Sequence, residues 1–362
     1  MKSGLNKSSN IFVSGHKGMV GSAIVRQLEL QGYNNIIKRT HDDLELIDQS
    51  AVRSFFLKNS IDYVVLAAAK VGGINANNSF PAEFIYENLM IQTNIIHEAF
   101  KAGIKDLIFL GSSCIYPKHA PQPLKEEYLL SGPLESTNEA YAIAKIAGIK
   151  MCEYYNIQYK TRFCSVMPTN LYGPNDNYDL ENSHVLPALI RKFHLAKLAK
   201  FKDIEGIKRD EFYYGPIPED VKKYLNIKLE KSSSKIKAQC GKSRKEPAVM
   251  LWGTGNPRRE FLHVDDLAKA CVFLMKISDK IYPPLINIGC GEDLTISELA
   301  NLVAVVVGFK GKIIWDHKKP DGTPRKLLDI SRLSSLGWKP EISLKKGIEQ
   351  TYKSYLEKQQ TE

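Results

Sequence analysis

Short apolar, β-branched runs alternate with longer stretches of helical apolar spacing through the first 170 residues. The apolar runs predict strands at 10–14, 35–39, 62–69, 107–113 and 162–167. The helical spacing predicts helices at 19–32, 51–59, 84–103 and 138–156. Strands and helices that alternate in this way form a parallel sheet with helices on both faces, because the crossovers are right-handed. The pattern therefore predicts an α/β fold with a doubly wound parallel sheet.

The alternation loosens from about residue 172. Residues 200–247 are rich in charge and show no clear period, so we interpret much of this stretch as an exposed insertion. We therefore predict a Rossmann domain over 1–171, to which the chain returns near 260–290. A smaller substrate-binding lobe is predicted mainly over 172–362, with the basic insertion at about 200–247. Regular elements within the second half are predicted at 184–200, 249–252, 265–277, 285–289, 297–308 and 343–358.

The amino-acid composition and net charge restrict the class of binding partner. The 362 residues are 43% apolar and 25% charged, as in a globular chain, and the net charge is +10. Residues 197–246 hold 14 Lys and Arg against 8 Asp and Glu, so most of the excess lies in the insertion. No basic stretch interleaved with aromatic residues resembles a nucleic-acid module. We therefore expect a small-molecule partner and no nucleic acid.

The chain contains no run of the ~18 apolar residues that a membrane span needs. Its first ten residues, MKSGLNKSSN, lack the apolar centre of a secretory signal. The six cysteines are scattered without a CxxC pair, which argues against a zinc cage or a redox dithiol. We expect no membrane partner, no metal site and a reducing, cytoplasmic location.

A glycine-rich loop follows the first predicted strand and opens the first predicted helix. Its GxxGxxG spacing permits a tight turn, close approach of a pyrophosphate and close packing of helix on strand. The helix N-terminus would offer amide donors to that phosphate. The loop therefore predicts a dinucleotide site. Its residues are Gly15, His16, Lys17, Gly18, Met19, Val20 and Gly21.

The end of the second predicted strand carries bases where an NAD-binding fold usually has an acid. Lys38 and Arg39 stand there, followed by His41, and Lys17 of the glycine loop could face the same group. Positive charge at this place suits the 2′-phosphate of NADP better than a bare ribose. We predict NADP(H) as the cofactor, with Arg39 and His41 among its contacts.

Tyr141 and Lys145 stand at i and i+4, on one face of a predicted helix. A free tyrosine titrates near pH ~10, too high for proton transfer at neutral pH, and a nearby cation lowers that value. The pair is therefore a candidate acid–base unit. The alternative is an interfacial tyrosine beside a surface lysine.

Ser112 and Cys114 follow the fourth predicted strand, at the edge where ligands bind in doubly wound folds. Strand alternation predicts that both point to one side and Ser113 to the other. Ser112 could bind a substrate carbonyl oxygen. From the residues alone, Cys114 is better explained as a small buried apolar group. His184, after a polar loop, is a candidate because a histidine changes charge near neutral pH.

These residues belong to a wider pattern. The chain resembles the extended short-chain dehydrogenase/reductases and, within them, the GDP-L-fucose synthase family of 3,5-epimerase/4-reductases. The resemblance extends over residues 10–200 and 249–350. The matching stretches are GHKGMVGSAI, LAAAKVGGINANN, FLGSSCIYPK, EAYAIAKIAGIKMCE, SVMPTNLYGPNDN, NSHVLPAL, REFLHVDD and KPDGTPRKLLD.

The resemblance implies specific roles. It implies that Ser112, Tyr141 and Lys145 form a reductase triad and that Cys114 and His184 form an epimerase acid–base pair, which replaces the apolar interpretation of Cys114. The GDP-sugar would be held by Lys192, Trp252, Arg259 and Asp321. The cofactor would also contact Leu110, Gly111, Ser112, Ser113, Lys145, Pro168, Thr169, Asn170, Leu171 and His184. A second arginine is expected at His41 in this family, so the chain departs from it there.

Three functions remain open at this point. The resemblance implies NADPH-dependent C3/C5 epimerisation of GDP-4-keto-6-deoxy-D-mannose and then C4 reduction to GDP-L-fucose. The alternative is C4 reduction of a related GDP-4-keto-6-deoxy sugar, such as a heptose, with little or no epimerisation. A non-enzymatic dinucleotide sensor is disfavoured, because Tyr141 and Lys145 are both present. Relatives pair through two long helices, near 84–103 and 138–156, so a homodimer is expected.

Overall fold

The computed structural model describes two compact units. One unit comprises the chain up to Asn175 together with Glu260–Glu292 and Lys326–Ile342, and the other comprises the rest. We refer to them as unit 1 and unit 2. No helix in the described part of the chain is long and apolar enough to cross a membrane. The described residues are 5–232, 235–240, 246–278, 282–319 and 321–360.

The elements follow one another through both units. The strands are β1 (Ile11–Ser14), β2 (Ile36–Ile37), β3 (Tyr63–Leu66), β4 (Asp106–Leu110), β5 (Arg162–Pro168), β6 (Asn170–Tyr172), β7 (Ile227–Ser232), β8 (Lys235–Cys240), β9 (Ala248–Trp252), β10 (Arg258–His263), β11 (Leu285–Ile288), β12 (Asp293–Thr295), β13 (Lys312–Asp316) and β14 (Arg325–Lys326). The helices are α1 (Met19–Leu30), α2 (Gln49–Lys58), α3 (Ile74–Ser79), α4 (Pro81–Lys101), α5 (Glu139–Tyr159), α6 (Val185–Lys200), α7 (Ile204–Tyr214), α8 (Glu219–Leu225), α9 (Val264–Met275), α10 (Ile296–Val307), α11 (Ser331–Ser335) and α12 (Leu344–Lys358).

Unit 1 is built on a six-stranded parallel sheet in the order β11-β5-β4-β3-β1-β2. Alternate strand residues enter two cores. Val13, Val65 and Ile108 pack with α1 and α9 on one face, and Phe12 and Val64 pack with α2, α4 and α5 on the other. The doubly wound α/β sheet is therefore confirmed. Connections leave β1 in opposite directions, toward β2 and β3, which is where such sheets bind ligands.

Unit 2 contains a two-stranded parallel pair, β9 with β13, and an antiparallel hairpin, β7 with β8. Helix α10 contacts both α6 and α12, and α7 and α8 both contact α6. The N-terminus of α10 has a capping box, in which Thr295 and Glu298 satisfy each other's backbone amides. Pro187 lies in the first turn of α6, where a proline costs little.

One expectation from the sequence is wrong, and the structure adds detail to a second. The fourth strand ends at Leu110 rather than at 113, and residues 113–115 form a 3₁₀ turn, so strand alternation does not orient Ser112 and Cys114. The stretch 200–247 is not exposed throughout, because α7 and α8 bury apolar side chains against unit 2. Because both helices are short, the helical spacing of their apolar residues repeats too few times to be recognised in the sequence. The buried apolar residues are Ile207, Tyr214, Val221 and Leu225.

Candidate functional site

The glycine loop is a tight turn at the carboxyl end of β1. Gly15 has a positive φ of 74°, and a Cβ there would lie 2.8 Å from the backbone of Ala68, just after β3. A Cβ on Gly21 would lie 2.2 Å from the Gly15 carbonyl oxygen. Gly18 caps α1 and brings no side chain to its first amides. The loop thus presents bare backbone and a helix N-terminus, which is the cradle that a dinucleotide pyrophosphate requires.

The basic residues after β2 surround one side of this loop. Burial lowers the pKa of His16, and the positive charges of Lys17 and Lys38 lower it further. The Arg39 guanidinium lies 5.4 Å from the centre of the Phe55 ring, which holds it in place. His41 is exposed and lies 2.9 Å from the Glu45 carboxylate. The charge is therefore positive here, as a 2′-phosphate needs, although Glu45 engages His41.

The turn after β4 carries Ser112 and Cys114. The Ser112 hydroxyl accepts a hydrogen bond of 3.2 Å from the Cys114 amide, and so caps the turn. Ser113 is buried, whereas Ser112 and Cys114 are partly exposed. The Lys326 ammonium lies 3.7 Å from the Cys114 sulfur. This contact sets the position of the Cys114 side chain beside the turn.

Tyr141 lies beside that turn on α5. Burial raises the pKa of Tyr141 above its ordinary value, the Cys114 thiol adds to the rise, and a hydrogen bond with Ser112 opposes it. The phenol, the hydroxyl and the thiol are therefore neighbours. The Tyr141 ring also meets Phe84 of α4 edge-on, with ring centres 6.4 Å apart, which orients it.

Lys145 is one helical turn further along α5 and is 3% exposed. Its ammonium donates a hydrogen bond of 2.8 Å to the Leu110 carbonyl and lies 5.8 Å from the centre of the Tyr141 ring. Burial lowers the pKa of Lys145 to about 7. No carboxylate among the described residues forms an ion pair with it. Near neutral pH the side chain of Lys145 therefore exchanges between the ammonium and the neutral amine.

The remaining predicted cofactor residues lie at the same carboxyl edge of the sheet. The Gly111 amide bonds the Val166 carbonyl at 2.9 Å, and β5 ends at Pro168. The Thr169 hydroxyl and the Asn170 amide group both donate to the Glu260 carbonyl, at 3.3 and 2.8 Å. Leu171 packs against the core. These contacts fix the backbone of this edge.

The predicted residues of unit 2 form a second group. His184 is the exposed N-cap residue of α6. Lys192, two turns later, donates to the Met250 carbonyl of β9 at 3.4 Å, and burial lowers the pKa of its ammonium. Trp252 ends β9 and is 58% exposed. The structure thus brings Lys192 to the strand that carries Trp252.

Asp321 and Arg259 frame the loop after Trp252. The Asp321 carboxylate accepts bonds from the Thr254 amide and hydroxyl, at 2.9 and 2.6 Å, and these bonds lower its pKa. A Cβ on Gly253 would lie 2.2 Å from this carboxylate, so a glycine is required there. The Arg259 guanidinium donates to the Arg258 carbonyl at 2.8 Å. Asp321 therefore shapes the loop as well as lending it charge.

Sequence reasoning missed Lys326 and Asn287. Asn287, buried in β11, accepts a bond of 2.5 Å from the Tyr116 hydroxyl, just after the Cys114 turn. It also donates to the carbonyls of Leu124 and Asp329, at 2.9 and 3.1 Å. Asn287 thereby ties the turn that carries Cys114 to the segment that carries Lys326. A polar asparagine inside the apolar run LINIG was the one available signal.

Comparison with known proteins shows which protein family this chain matches. The model of the NAD dependent epimerase/dehydratase family matches residues 11–215 and 213–289. A putative GDP-L-fucose synthase 2 from Arabidopsis thaliana is 54% identical over 360 residues, which cover 99% of this chain and 95% of that protein. The GDP-L-fucose synthase of Escherichia coli (strain K12) is 50% identical, over 96% of this chain and 97% of its own length.

A solved structure also resembles this chain over nearly its full length. It is a GDP-mannoheptose C4 reductase from Campylobacter jejuni with NADP bound, 40% identical in sequence. The match has a TM-score of 0.80 and covers 98% of this chain and 100% of the other. Relatives of both kinds, synthases and a reductase, therefore share this architecture.

Proposed function

The chain belongs to the NAD dependent epimerase/dehydratase family, among the relatives of the GDP-L-fucose synthases, and we propose that it makes GDP-L-fucose. The substrate is GDP-4-keto-6-deoxy-D-mannose, and NADPH is the reductant. C3 and C5 are epimerised first, and C4 is then reduced. The observation that carries the proposal is the cluster of Ser112, Tyr141 and Cys114, which combines a reductase pair with an acid–base thiol.

The glycine loop supports the cofactor assignment. A Cβ at Gly15 or Gly21 would collide with the backbone of Ala68 or of Gly15, so both glycines maintain the tight turn that presents the helix N-terminus to a pyrophosphate. Lys17, Lys38 and Arg39 supply positive charge for a 2′-phosphate, and the related reductase binds NADP. NADPH supplies the hydride for C4 when it is bound.

Reduction needs a proton at the C4 oxygen as hydride reaches C4. Tyr141 donates this proton, and Ser112 hydrogen-bonds the same oxygen as negative charge develops on it. Lys145 lies beside the Tyr141 ring, and its charge stabilises the phenolate that remains. The buried ammonium also donates to the Leu110 carbonyl, which sets its position.

Epimerisation uses the acidity that the C4 ketone gives to the protons on C3 and C5. One group removes a proton to leave an enolate, and a second group returns a proton to the opposite face. We assign these roles to Cys114 and His184. The Lys326 ammonium contacts the Cys114 sulfur at 3.7 Å and positions it, and Tyr141 with Ser112 stabilises the enolate oxygen. One set of side chains therefore serves both steps.

In this proposal, residues of unit 2 bind the GDP part of the substrate. Lys192 and Arg259 carry the positive charge that a diphosphate requires. Trp252 presents an exposed ring, and the Lys319 ammonium lies 4.9 Å from its centre. Asp321 completes the group by holding the loop through Thr254.

The second candidate is C4 reduction of a related GDP-4-keto-6-deoxy sugar, such as a heptose. The related heptose reductase, at 40% identity, favours it. The triad would be unchanged in such an enzyme, so the two functions differ in whether C3 and C5 exchange protons.

Deuterated water separates the two candidates. The purified protein is given NADPH and GDP-4-keto-6-deoxy-mannose, and the product is examined by NMR. We expect a reduced product with deuterium at C3 and C5. Reduction without that label, or turnover of the heptose substrate alone, would exclude the fucose synthase function.

Two variants test the assignment of the steps. Cys114→Ser should suppress deuterium uptake and leave NADPH binding unchanged, because the triad is intact. Tyr141→Phe should lower reduction by about 10²–10⁴-fold, the usual contribution of a general acid. Normal deuterium uptake in the first variant, or near-normal reduction in the second, contradicts the corresponding role.

A homodimer and a cytoplasmic location are part of the proposal. Helices α4 and α5 pack on each other, and several of their apolar side chains remain exposed to solvent. A second copy would cover that face. The five cysteines whose side chains the structure describes are free, which is compatible with a reducing compartment. The large apolar side chains exposed on α4 and α5 are Tyr86, Ile143, Tyr154, Ile157 and Tyr159. Analytical sedimentation of Tyr154→Glu tests the dimer, because a charge on this face should reduce association. A mass in solution equal to that of the wild-type protein would contradict this interface.

A further inference from the structure

The backbone after β2 lies against the glycine loop, on the side where the adenosine ribose of a dinucleotide binds in doubly wound folds. A hydrogen bond joins the His16 ring to the Arg39 backbone, and the charge of Lys17 acts on both His16 and Asp43. Residues 38–43 therefore border the cofactor cradle. A base at this place favours the 2′-phosphate of NADP, whereas a carboxylate favours the free 2′-hydroxyl of NAD.

His41 is paired with a carboxylate four residues further along the chain. Its Nε2 lies 2.9 Å from one oxygen of Glu45, while 82% of the His41 side chain is exposed to solvent. One of the two ring nitrogens is therefore engaged, and only Nδ1 is left for a ligand. The negative charge of Glu45 also offsets the positive charge that a protonated His41 would bring to a phosphate.

The Glu45 carboxylate is fixed by the backbone that follows it. Its other oxygen accepts a hydrogen bond of 2.9 Å from the Ile47 amide. The carbonyls of Leu46 and Ile47 accept bonds of 2.9 and 3.0 Å from the buried Asn94 side chain of α4. Many surface ion pairs join two mobile side chains and contribute little. Here one partner is held, so the carboxylate keeps its place beside His41.

The neighbouring carboxylate of Asp43 has a different role. It accepts hydrogen bonds from the Thr40 amide and hydroxyl, at 2.9 and 2.7 Å, and these bonds lower its pKa. Asp43 therefore stays ionised and closes the turn at 40–43. Glu45 is the acid that faces His41.

We propose that Glu45 determines cofactor specificity, and that it weakens the preference for NADPH over NADH by neutralising His41. A 2′-phosphate that binds His41 must share it with a carboxylate, and the two negative charges repel each other. NADH has no 2′-phosphate and does not incur this repulsion. The inference rests on the proposed function, because it takes His41 to contact the 2′-phosphate.

Binding of oxidised cofactors to the full-length protein tests this inference. By isothermal titration calorimetry, Glu45→Gln should give an NADP⁺ Kd about 3–5-fold below that of the wild type, the effect of one exposed charge pair. The NAD⁺ Kd should stay within about 2-fold. Glutamine keeps the oxygen that accepts from the Ile47 amide, so the backbone stays fixed. Asp42→Asn is the matched control, because it removes the same charge from an exposed residue of the same segment.

A double-mutant cycle shows whether the effect depends on His41. In a His41→Ala background, Glu45→Gln should change the NADP⁺ Kd by less than about 2-fold. Glu45→Ala removes any hydrogen bond that glutamine keeps with the ring, and it should also tighten NADP⁺ binding. The inference is overturned if neither Glu45 variant tightens NADP⁺ binding, or if NADP⁺ and NAD⁺ respond equally. It is also overturned if Asp42→Asn has the same effect, or if the effect persists without His41.

The proposed function has a separate readout. If the wild-type protein binds NADP⁺ but does not turn over GDP-4-keto-6-deoxy-mannose, the proposed function alone fails. If it binds neither NADP⁺ nor NAD⁺, the proposed function and the inference both fail. If it turns over the sugar and the Glu45 variants bind NADP⁺ like the wild type, the inference alone fails. Thermal unfolding of each variant should match the wild type, because the substituted side chains are at least partly exposed.

Discussion

Two buried cations, one in each unit, have different surroundings. Arg191 in unit 2 has no exposed surface and forms an ion pair with Asp210. It also donates to the carbonyls of Tyr178, Tyr214 and Gly215, at 3.1, 2.7 and 2.5 Å. Lys145 in unit 1 is nearly as buried, and its ammonium donates one hydrogen bond, to the Leu110 carbonyl.

The difference agrees with a structural role for Arg191 and with the catalytic role proposed for Lys145. A buried charge is tolerated when a counterion and hydrogen bonds replace its water, as they do for Arg191. A buried ammonium with one carbonyl costs stability, and the benefit must lie elsewhere. Tyr141, whose ring centre is 5.8 Å away, is the group that the proposed function pairs with that charge. Burial alone therefore does not distinguish the two cations, whereas the pairing of their charges does.

Lys145→Met should have the largest effect on activity. We expect NADPH oxidation to fall by about 10²–10⁴-fold, because Tyr141 loses the cation that stabilises its phenolate. Initial rates at saturating substrate measure it. Lys145→Arg is the control that keeps a charge. Near-normal rates in the methionine variant would show that Lys145 is not part of the proton transfer.

Arg191→Met should have the largest effect on stability. It leaves the Asp210 carboxylate buried without its counterion, and we expect the free energy of unfolding to fall by about 3–5 kcal/mol. Urea denaturation measures the change. Adding Asp210→Leu removes the orphaned charge and should recover part of the loss. If Arg191→Met unfolds like the wild type, the comparison between the two cations is wrong.

Lys145→Met should also stabilise the protein, with a defined pH dependence. The pKa of Lys145 is about 7 in the folded protein against an ordinary value of 10.5, so folding disfavours the charged form. The cost is complete below pH 7 and disappears as pH rises toward 10.5. We expect a gain of about 1–3 kcal/mol near pH 6 in unfolding free energy, which vanishes near pH 10. A gain independent of pH would contradict the charge argument.

Lys326→Met should have the smallest effect of the four. Its ammonium touches the Cys114 sulfur at 3.7 Å, and one such interaction is worth up to about 10-fold. We expect deuterium uptake at C3 and C5 to slow by about that factor. Reduction of substrate that has already been epimerised should change little. Equal slowing of both steps would mean that Lys326 acts on the triad and not on Cys114.

Much of the fold was predictable from local pattern. The helices and strands of unit 1 follow from apolar periodicity, because one face of each element must enter a core. The predicted elements were wrong where an element is short or where its position depends on residues distant in the sequence. The fourth strand ends early at a 3₁₀ turn, and α7 and α8 escaped notice inside a charged stretch. Asp210 of α7 pairs with Arg191 of α6, a contact that no local pattern reveals.

The sequence by itself determined the doubly wound sheet, the glycine loop, and the pairing of Tyr141 with Lys145 on one helix face. Each depends on residues a few positions apart, so backbone geometry brings them together. Only the tertiary structure decided that Lys145 is buried with a single carbonyl acceptor, and that Lys326 lies against Cys114, 212 residues away. Contacts over such separations depend on how helices and strands pack on one another, and the apolar periodicity of the sequence does not specify that packing.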